Sequence, residues 1–434
     1  MSQATAPAPP PSVPQTTPRA GTPTTGTAGG QRDADPGDVK GARGIPGALQ
    51  RWRLLAAVAV LAFTGLTALQ LVLGMNSAAR AADDADQVIR VQELKVDLLR
   101  ADALATNAFL VGGLEPSDRR AEYDDAMADA TSAIAAAAEA QPADQEALAE
   151  LSTLVLRYGS DMEVARANNR QGLPVGAAYL REASADLRGR GMTIVDALLD
   201  ANTARAKASF DDQHPLWVAI PALATLAVLV FVNQWMATRF RRRVNPGVAI
   251  TAAAVLALGT GAVVAAATQA LENTNLAIGD YARLTEAAQT RGAAYSAKSN
   301  ESLRLVARGS GKAFEEAWVK DAEAVDDAMP TSVLDPKWAD YAAAHKELVA
   351  LDDAGDWDGA VALATAPDKG STPAFQAFDA QLEEYLADRS ERVRDTLTGG
   401  RTTPLITALL TLLGGLGAVY ALWQGIGRRL EEYS

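Results

Sequence analysis

Long runs of apolar residues without a single charge divide the chain of 434 residues. They occupy residues 54–73, 216–236, 248–267 and 405–423. Each run has about twenty residues, enough for a helix rising about 1.5 Å per residue to cross a hydrocarbon core of about 30 Å. The pattern therefore predicts four transmembrane helices. Buried helices of a soluble domain are disfavoured, because all four runs would have to occur in one chain.

Arginines beside the apolar runs indicate how the chain is oriented in the membrane. All of them fall on one side if the chain crosses four times: Arg51, Arg53, Arg239, Arg241, Arg242, Arg243, Arg428 and Arg429. Basic residues mark the cytoplasmic side, so we expect a multi-pass plasma-membrane protein with both termini in the cytoplasm. Residues 74–215 and 268–404 would then lie outside. The first run is longer than the apolar part of a cleaved signal, about 7–15 residues, which favours a retained span.

The cytoplasmic parts are too small to form an output domain. Residues 1–50 are rich in Pro, Gly and Thr, a composition that predicts a disordered tail. The loop 237–247 and the tail 424–434 are far shorter than an independent domain. Any signal must therefore pass to a separate cytoplasmic protein. The loop arginines are candidates for docking that protein: Arg239, Arg241, Arg242 and Arg243.

Both outer segments show the three-and-four spacing of apolar residues that is typical of bundle helices. In residues 74–215 the pattern predicts a helix over 76–112 that continues from the first span, then three more helices separated at Pro142 and Pro174. Residues 268–404 repeat the plan and begin with a helix over 268–308. The predicted fold is all-α, with four transmembrane helices and two duplicated, antiparallel, extracytoplasmic four-helix bundles.

A short motif links the two outer segments: one helix ends at glycine, and the next begins with an aromatic residue, two acids and alanine. Its residues are Leu110, Gly112, Tyr123 and Ala126 in the first segment and Gly309, Phe314 and Ala317 in the second. This hairpin is similar to the one between the first two helices of bacterial four-helix-bundle sensor domains of the chemoreceptor and CHASE3 type. The second copy departs from the pattern, because basic and polar residues crowd its turn.

The plan of the whole chain, a Pro/Thr-rich tail followed by two span-bundle-span units, resembles the actinobacterial membrane linker of the GlnX type. That resemblance implies two partners, an extracytoplasmic amino-acid-binding lipoprotein and a cytosolic Ser/Thr kinase of the G type. Bundle sensors normally continue from their second span into an output domain. Here an arginine-rich loop and another span follow, which again implies output through a separate protein.

The residue inventory argues against chemistry at a site. The chain has no cysteine, two histidines and a net charge of -13, which excludes thiolate and three-histidine metal sites and disfavours nucleic-acid binding. No catalytic or nucleotide-binding motif occurs, so we expect neither an enzyme nor a cofactor. The acidic run from Asp352 to Asp358 fails the calcium-loop pattern and is interpreted as a solvated turn. His345 occupies a packing position and is interpreted as structural.

Small residues spaced four apart form a ridge on the third span and predict close helix contact, within the chain or in a homodimer. They are Ala253, Ala257, Gly261 and Ala265. The spans contain no Asp, Glu, Lys, Arg or His, which leaves a transporter without an ionisable carrier.

These observations favour a transmembrane sensor that relays the state of an extracytoplasmic solute-binding protein, or of a ligand, to a cytosolic Ser/Thr kinase. The alternative is a structural or assembly factor of the cell envelope that senses nothing. An accessory subunit of a transporter or exporter is a third hypothesis.

Overall fold

The computed structural model describes residues 45–112, 115–211, 215–240, 244–399 and 402–430. Within these ranges all regular secondary structure is helical. The chain divides into two units, residues 1–50 and 51–434. The tail predicted to be disordered lies outside the described residues as far as residue 44, and residues 45–50 begin the first helix.

The first half of the chain forms the helices expected from its apolar spacing, with one difference: a π-helical turn divides the fourth helix predicted for residues 74–215. They are α1 Ile45–Val111, α2 Ser117–Ala140, α3 Gln145–Arg170, α4 Val175–Asp186, α5 Met192–Asp211 and α6 Ala219–Phe240. Short 3-10 turns at Pro142–Asp144 and Pro215–Val218 precede α3 and α6, since proline is tolerated at a helix start but not inside one. A π-helical turn at Leu187–Gly191 joins α4 to α5.

The second half follows a similar plan with one break that the sequence analysis missed. Its helices are α7 Pro246–Ile278, α8 Asp280–Val306, α9 Lys312–Asp327, α10 Asp335–Asp353, α11 Trp357–Thr365, α12 Ser371–Gly399 and α13 Thr402–Leu430. The single helix predicted over 268–308 is wrong, because the chain breaks at Gly279 with φ -94° and ψ -99°. A Cβ there would lie 2.7 Å from the carbonyl oxygen of Asn275, so the break requires glycine.

Stretches of α1, α6, α7 and α13 are long and apolar enough to cross a membrane. Hydrogen bonds from threonine hydroxyl groups join these helices in two pairs. Thr225 Oγ1 of α6 donates a hydrogen bond to the carbonyl oxygen of Ala59 in α1, and Thr251 Oγ1 of α7 donates one to that of Ala418 in α13, each at 3.1 Å. Contacts of this kind are typical of helices that associate in lipid.

The helices α7 and α13 approach each other closely at Gly247, where a Cβ would lie 2.5 Å from the Cα of Gly425. The predicted ridge does not make this contact. Its residues are buried Ala265 and exposed Ala253, Ala257 and Gly261. Ala253, Ala257 and Gly261 are exposed in the single chain, because α7 turns a different face toward α13. The close contact predicted for the ridge, within the chain or in a homodimer, stays a prediction.

The two outer segments share one hydrophobic core. Leu98 of α1 and Leu151 of α3 belong to the same cluster of buried residues as Tyr295 of α8 and Phe378 of α12. The sequence predicts two bundles, and the structure packs the helices of both segments against each other. On α8, all residues from 297 to 305 are buried, although most of them are polar or charged.

Candidate functional site

A fully buried carboxylate on α1 joins the two outer segments. Asp102 accepts hydrogen bonds from Ser299 of α8 at 2.6 Å, from Ser184 of α4 at 2.8 Å and from Tyr158 of α3 at 3.2 Å. Three hydroxyl donors therefore surround an anion that burial would otherwise penalise strongly. Because the donors come from three helices, Asp102 fixes the position of α1 relative to both segments.

A second buried group of charges flanks Ser299 on α8. Lys298 Nζ lies 2.6 Å from Glu301 Oε1, and Ser371 Oγ of α12 donates to the same oxygen at 2.6 Å. Burial acts to raise the pKa of Glu301, but the positive charge of Lys298 and hydrogen bonds from His345 and Lys298 outweigh it and lower the pKa to about 2. Glu301 is therefore ionised wherever the protein is folded near neutral pH.

His345 of α10 completes this group. Its Nδ1 lies 3.0 Å from Glu301 Oε2, its Nε2 lies 3.3 Å from Glu315 Oε2, and its ring stacks on Trp318 with centroids 3.7 Å apart. Burial alone would lower the pKa of His345, but the hydrogen bond to Glu301 and the charge of both carboxylates raise it. The packing position predicted for His345 is confirmed, since Trp338, His345 and their helical neighbours on this face are buried.

The side chain of Arg304 connects the end of α8 to the end of α10 through ion pairs. Arg304 pairs with Asp352 and Asp353 at the end of α10. The acidic run that was interpreted as a solvated turn is thus partly used in ion pairs. Asp356 of the same run caps α11 by accepting a hydrogen bond from the Gly359 amide at 3.0 Å. Among the described residues, no group of carboxylates and histidines is arranged to hold a metal ion.

The π-helical turn between α4 and α5 supplies a further link between the segments. It presents Arg188, whose guanidinium donates to Asn300 Oδ1 at 2.7 Å and to Ser296 Oγ at 2.5 Å, both on α8. Asp321 of α9 lies 3.6 Å from the same guanidinium. Turns of this rare type recur at functional positions of helices, and here the turn directs an arginine of one segment onto the central helix of the other.

The predicted sensor hairpin is placed at the ends of these central helices. Gly112 and Gly309 both have positive φ, 65° and 82°, in the left-handed region that glycine adopts without strain. Leu110 is buried in a cluster with Leu305 and Leu348 of the second segment. The remaining residues of the motif differ between the copies: Tyr123 and Ala126 are buried, whereas Phe314 and Ala317 are half-buried.

Most of the arginines predicted to dock a cytoplasmic protein lie outside the described residues. Arg241, Arg242 and Arg243 lie outside the described residues, and so does the side chain of Arg239 at the end of α6.

The apolar pattern does not indicate the polar network, because the residues of the network resemble solvent-facing positions. Asp102 interrupts a run of small residues on α1, and Lys298–Arg304 reads as a charged helix face. Two asparagines near the ends of α1 and α8, Asn107 and Asn300, also belong to the buried polar residues. Asn107 reaches the second segment, where its Nδ2 lies 3.3 Å from Thr372 Oγ1.

Comparison with known proteins identifies part of the chain. Residues 77–211 match the family model described as the Actinobacterial sensor domain. No curated protein and no solved structure matches the chain. The matched range begins in α1 beyond its apolar stretch and ends at the last residue of α5, so it covers the first outer segment. The chain therefore carries an actinobacterial sensor domain, in a protein with four helices long and apolar enough to span a membrane.

Proposed function

We propose that the protein is a transmembrane signal relay. In this proposal the outer segments are extracytoplasmic and detect an amino-acid-type solute-binding protein or its ligand. The loop between α6 and α7 and both tails lie in the cytoplasm and act on a Ser/Thr kinase. The match to a sensor domain supports detection, and the four apolar helices support passage across a membrane.

One observation carries the proposal: α1 is a single unbroken helix of 67 residues, Ile45–Val111. It contains the first apolar run and, further along, Asp102 at the contact between the outer segments. A rigid helix transmits a shift at one end to the other, and displacements of about 1–2 Å are usual in switching proteins. The break at Gly279 leaves α8 without the same continuous link to α7.

The orientation can be tested directly because the chain has no cysteine. Single cysteines at Glu150, exposed on α3, and at Gln424, exposed near the end of α13, provide the two probes. We expect a membrane-impermeant maleimide to label the Glu150→Cys variant in intact cells and the Gln424→Cys variant only after lysis. The reverse pattern would contradict the proposed topology.

The partners can be tested by photo-crosslinking from exposed positions. A photoreactive residue at Leu156, 73% exposed on α3, is expected to capture a solute-binding lipoprotein. One at Val244, 59% exposed after the loop, is expected to capture a Ser/Thr kinase. Leu409, exposed on the apolar part of α13, is the control position and should capture neither. Recovery of neither partner from either site would remove the relay and favour the envelope structural factor.

A further inference from the structure

A cavity of about 180 Å³ lies between α1, α2, α8 and α12. Three of its polar lining residues are almost fully buried, since Asn107, Lys298 and Thr372 are each at most 4% exposed. Leu104 and Phe375 supply apolar surface. The volume is below that of drug-sized sites, about 300–1,000 Å³, so a ligand here has few heavy atoms. Since α1 and α2 belong to the first outer segment and α8 and α12 to the second, that ligand would contact both.

Two of the five charged side chains in the lining are already neutralised by partners. Lys298 Nζ lies 2.6 Å from Glu301 Oε1. Asp379 Oδ1 lies 2.7 Å from Nε of Arg291, and the Tyr295 hydroxyl donates a hydrogen bond to the other carboxylate oxygen at 2.6 Å. The charge that a ligand would meet is therefore set by the remaining three residues.

These three residues leave an excess of one positive charge. Arg100, Arg119 and Glu122 form no ion pair within 4.0 Å with any residue that the structure describes. Asp97, one turn before Arg100 on α1, does not line the cavity. Burial and the charge of Asp129 keep the pKa of Asp97 at about 6, although Arg100 acts to lower it, so Arg100 and Asp97 interact only weakly. A ligand with one negative charge would neutralise the lining.

A buried asparagine positions one of the two arginines at the cavity. Asn107 Oδ1 accepts a hydrogen bond from Arg119 Nη1 at 3.1 Å, and Asn107 Nδ2 donates one to Thr372 Oγ1 at 3.3 Å. Arg119 forms no other hydrogen bond within the described part of the chain. A guanidinium has five N–H donors in a planar fork that matches a carboxylate. Arg119 therefore keeps donors for a ligand.

The nearby Lys298 is a second observation that favours an anion. Burial lowers the pKa of Lys298, and the positive charge of Arg119 lowers it further, against the charge and hydrogen bond of Glu301. Arg119 is thus close enough to Lys298 for the two cations to repel each other. An anion bound beside both would offset that repulsion.

We propose that this cavity binds a short-chain monocarboxylate, with its carboxylate near Arg100 and Arg119 and its alkyl chain near Leu104 and Phe375. One negative charge matches the excess positive charge of the lining, and the two apolar side chains accommodate the alkyl chain. Binding needs only the cavity and does not depend on the proposed relay to a kinase.

The test is calorimetric titration of the full chain in lipid nanodiscs near neutral pH, with empty nanodiscs as the blank. The probe is butyrate, compared with 1-butanol, which lacks the charge, and with butylamine, whose charge is reversed. We expect saturable binding of butyrate and none of the alcohol or the amine. No binding of butyrate, or equal binding of either comparison compound, would overturn the proposal.

One variant and one control assign the binding to this cavity. Arg100→Gln should leave the fold intact, because Arg100 forms no hydrogen bond or ion pair with a described residue. It should weaken butyrate binding about tenfold or more. Arg157→Gln removes an exposed arginine of α3 and should change nothing. Unchanged binding in Arg100→Gln would show that butyrate binds elsewhere and that the proposed site is wrong.

A second variant tests the charge match through a gain of binding, which a damaged fold would not produce. Glu122→Gln removes the unpaired negative charge of the lining. It should strengthen butyrate binding about threefold, since an unfavourable interaction between partly exposed charges costs up to about 1 kcal/mol. Unchanged or weaker binding in Glu122→Gln would overturn the proposed charge match.

Discussion

The hydrogen bond between Ser299 and Asp102 should contribute measurably to stability, since it joins the two outer segments at 2.6 Å. Replacing Ser299 by alanine removes one of the three donors to a buried carboxylate. A hydrogen bond to a charged group contributes about 1.5–3 kcal/mol, so we expect the free energy of unfolding to fall by that amount. Tyr158 and Ser184 retain their bonds, which keeps the loss below that of removing Asp102 itself.

Ser302 provides a matched control on the same helix. It is as completely buried as Ser299, but its hydroxyl donates only to the carbonyl oxygen of Lys298 within α8, at 3.2 Å. Ser302→Ala should cost less than about 1 kcal/mol, since alanine also has the higher helix propensity. The two variants thus separate the contact between segments from the general effect of removing a buried hydroxyl.

The assay is urea unfolding of the full chain in detergent micelles, followed by tryptophan fluorescence. The midpoint should fall for Ser299→Ala without a change in the slope of free energy against urea. A double-mutant cycle with Asp102→Asn should give a coupling energy of about 1 kcal/mol or more. Equal losses for Ser299→Ala and Ser302→Ala, or additive losses in the cycle, would refute the assigned role of Asp102.

Three further predictions concern the polar network and the helix contacts. His345→Gln should lose most stability between pH 4.5 and 6.5. The lowered pKa of Glu301 stabilises the fold above pH 4.5, and the raised pKa of His345 stabilises it fully until the pH rises past 6.5. Unfolding measured across pH, with the wild type as reference, tests this, and a loss independent of pH would contradict it. Gly279→Ala should destabilise the protein by about 1–3 kcal/mol, because its Cβ would collide with the preceding turn. Gly261→Ala, on the exposed face of α7, should not destabilise it. Thermal unfolding of both variants measures the difference. Gly247→Ala should also lower the midpoint of thermal unfolding, because its Cβ would lie 2.5 Å from the Cα of Gly425 in α13. A midpoint equal to that of Gly261→Ala would contradict the packing described for α7 and α13.

Apolar patterning predicted the elements of this fold well, because each helix has a continuous face that must be buried. The four apolar runs, the helices of the first outer segment and the packing face of α10 all follow from spacing alone. The break at Gly279 could not be predicted in this way, since a single glycine inside a helical pattern is tolerated and does not by itself mark a break. Glycine is needed at position 279 because a Cβ there would collide with the carbonyl oxygen of Asn275.

The spacing of apolar residues could not predict the contact between the two outer segments. Residues such as Asp102, Lys298 and Glu301 are polar, and polar residues are expected on the surface unless a partner is known. Their partners come from helices up to about two hundred positions away, as with Asp102 and Ser299. The duplication also argues against such partners, because two similar segments suggest two separate cores. In the structure, the two segments instead form hydrogen bonds with each other.

In the proposed relay, α1 carries a change at the Asp102 network into the membrane. The direct measurement is the distance between spin labels at Leu54→Cys on α1 and Gln424→Cys on α13, both exposed, in the cysteine-free chain in nanodiscs. Introducing Ser299→Ala should shift the distance distribution by about 1–2 Å, while Ser302→Ala should leave it unchanged. Identical distributions in the wild type and in the Ser299→Ala variant would contradict the claim.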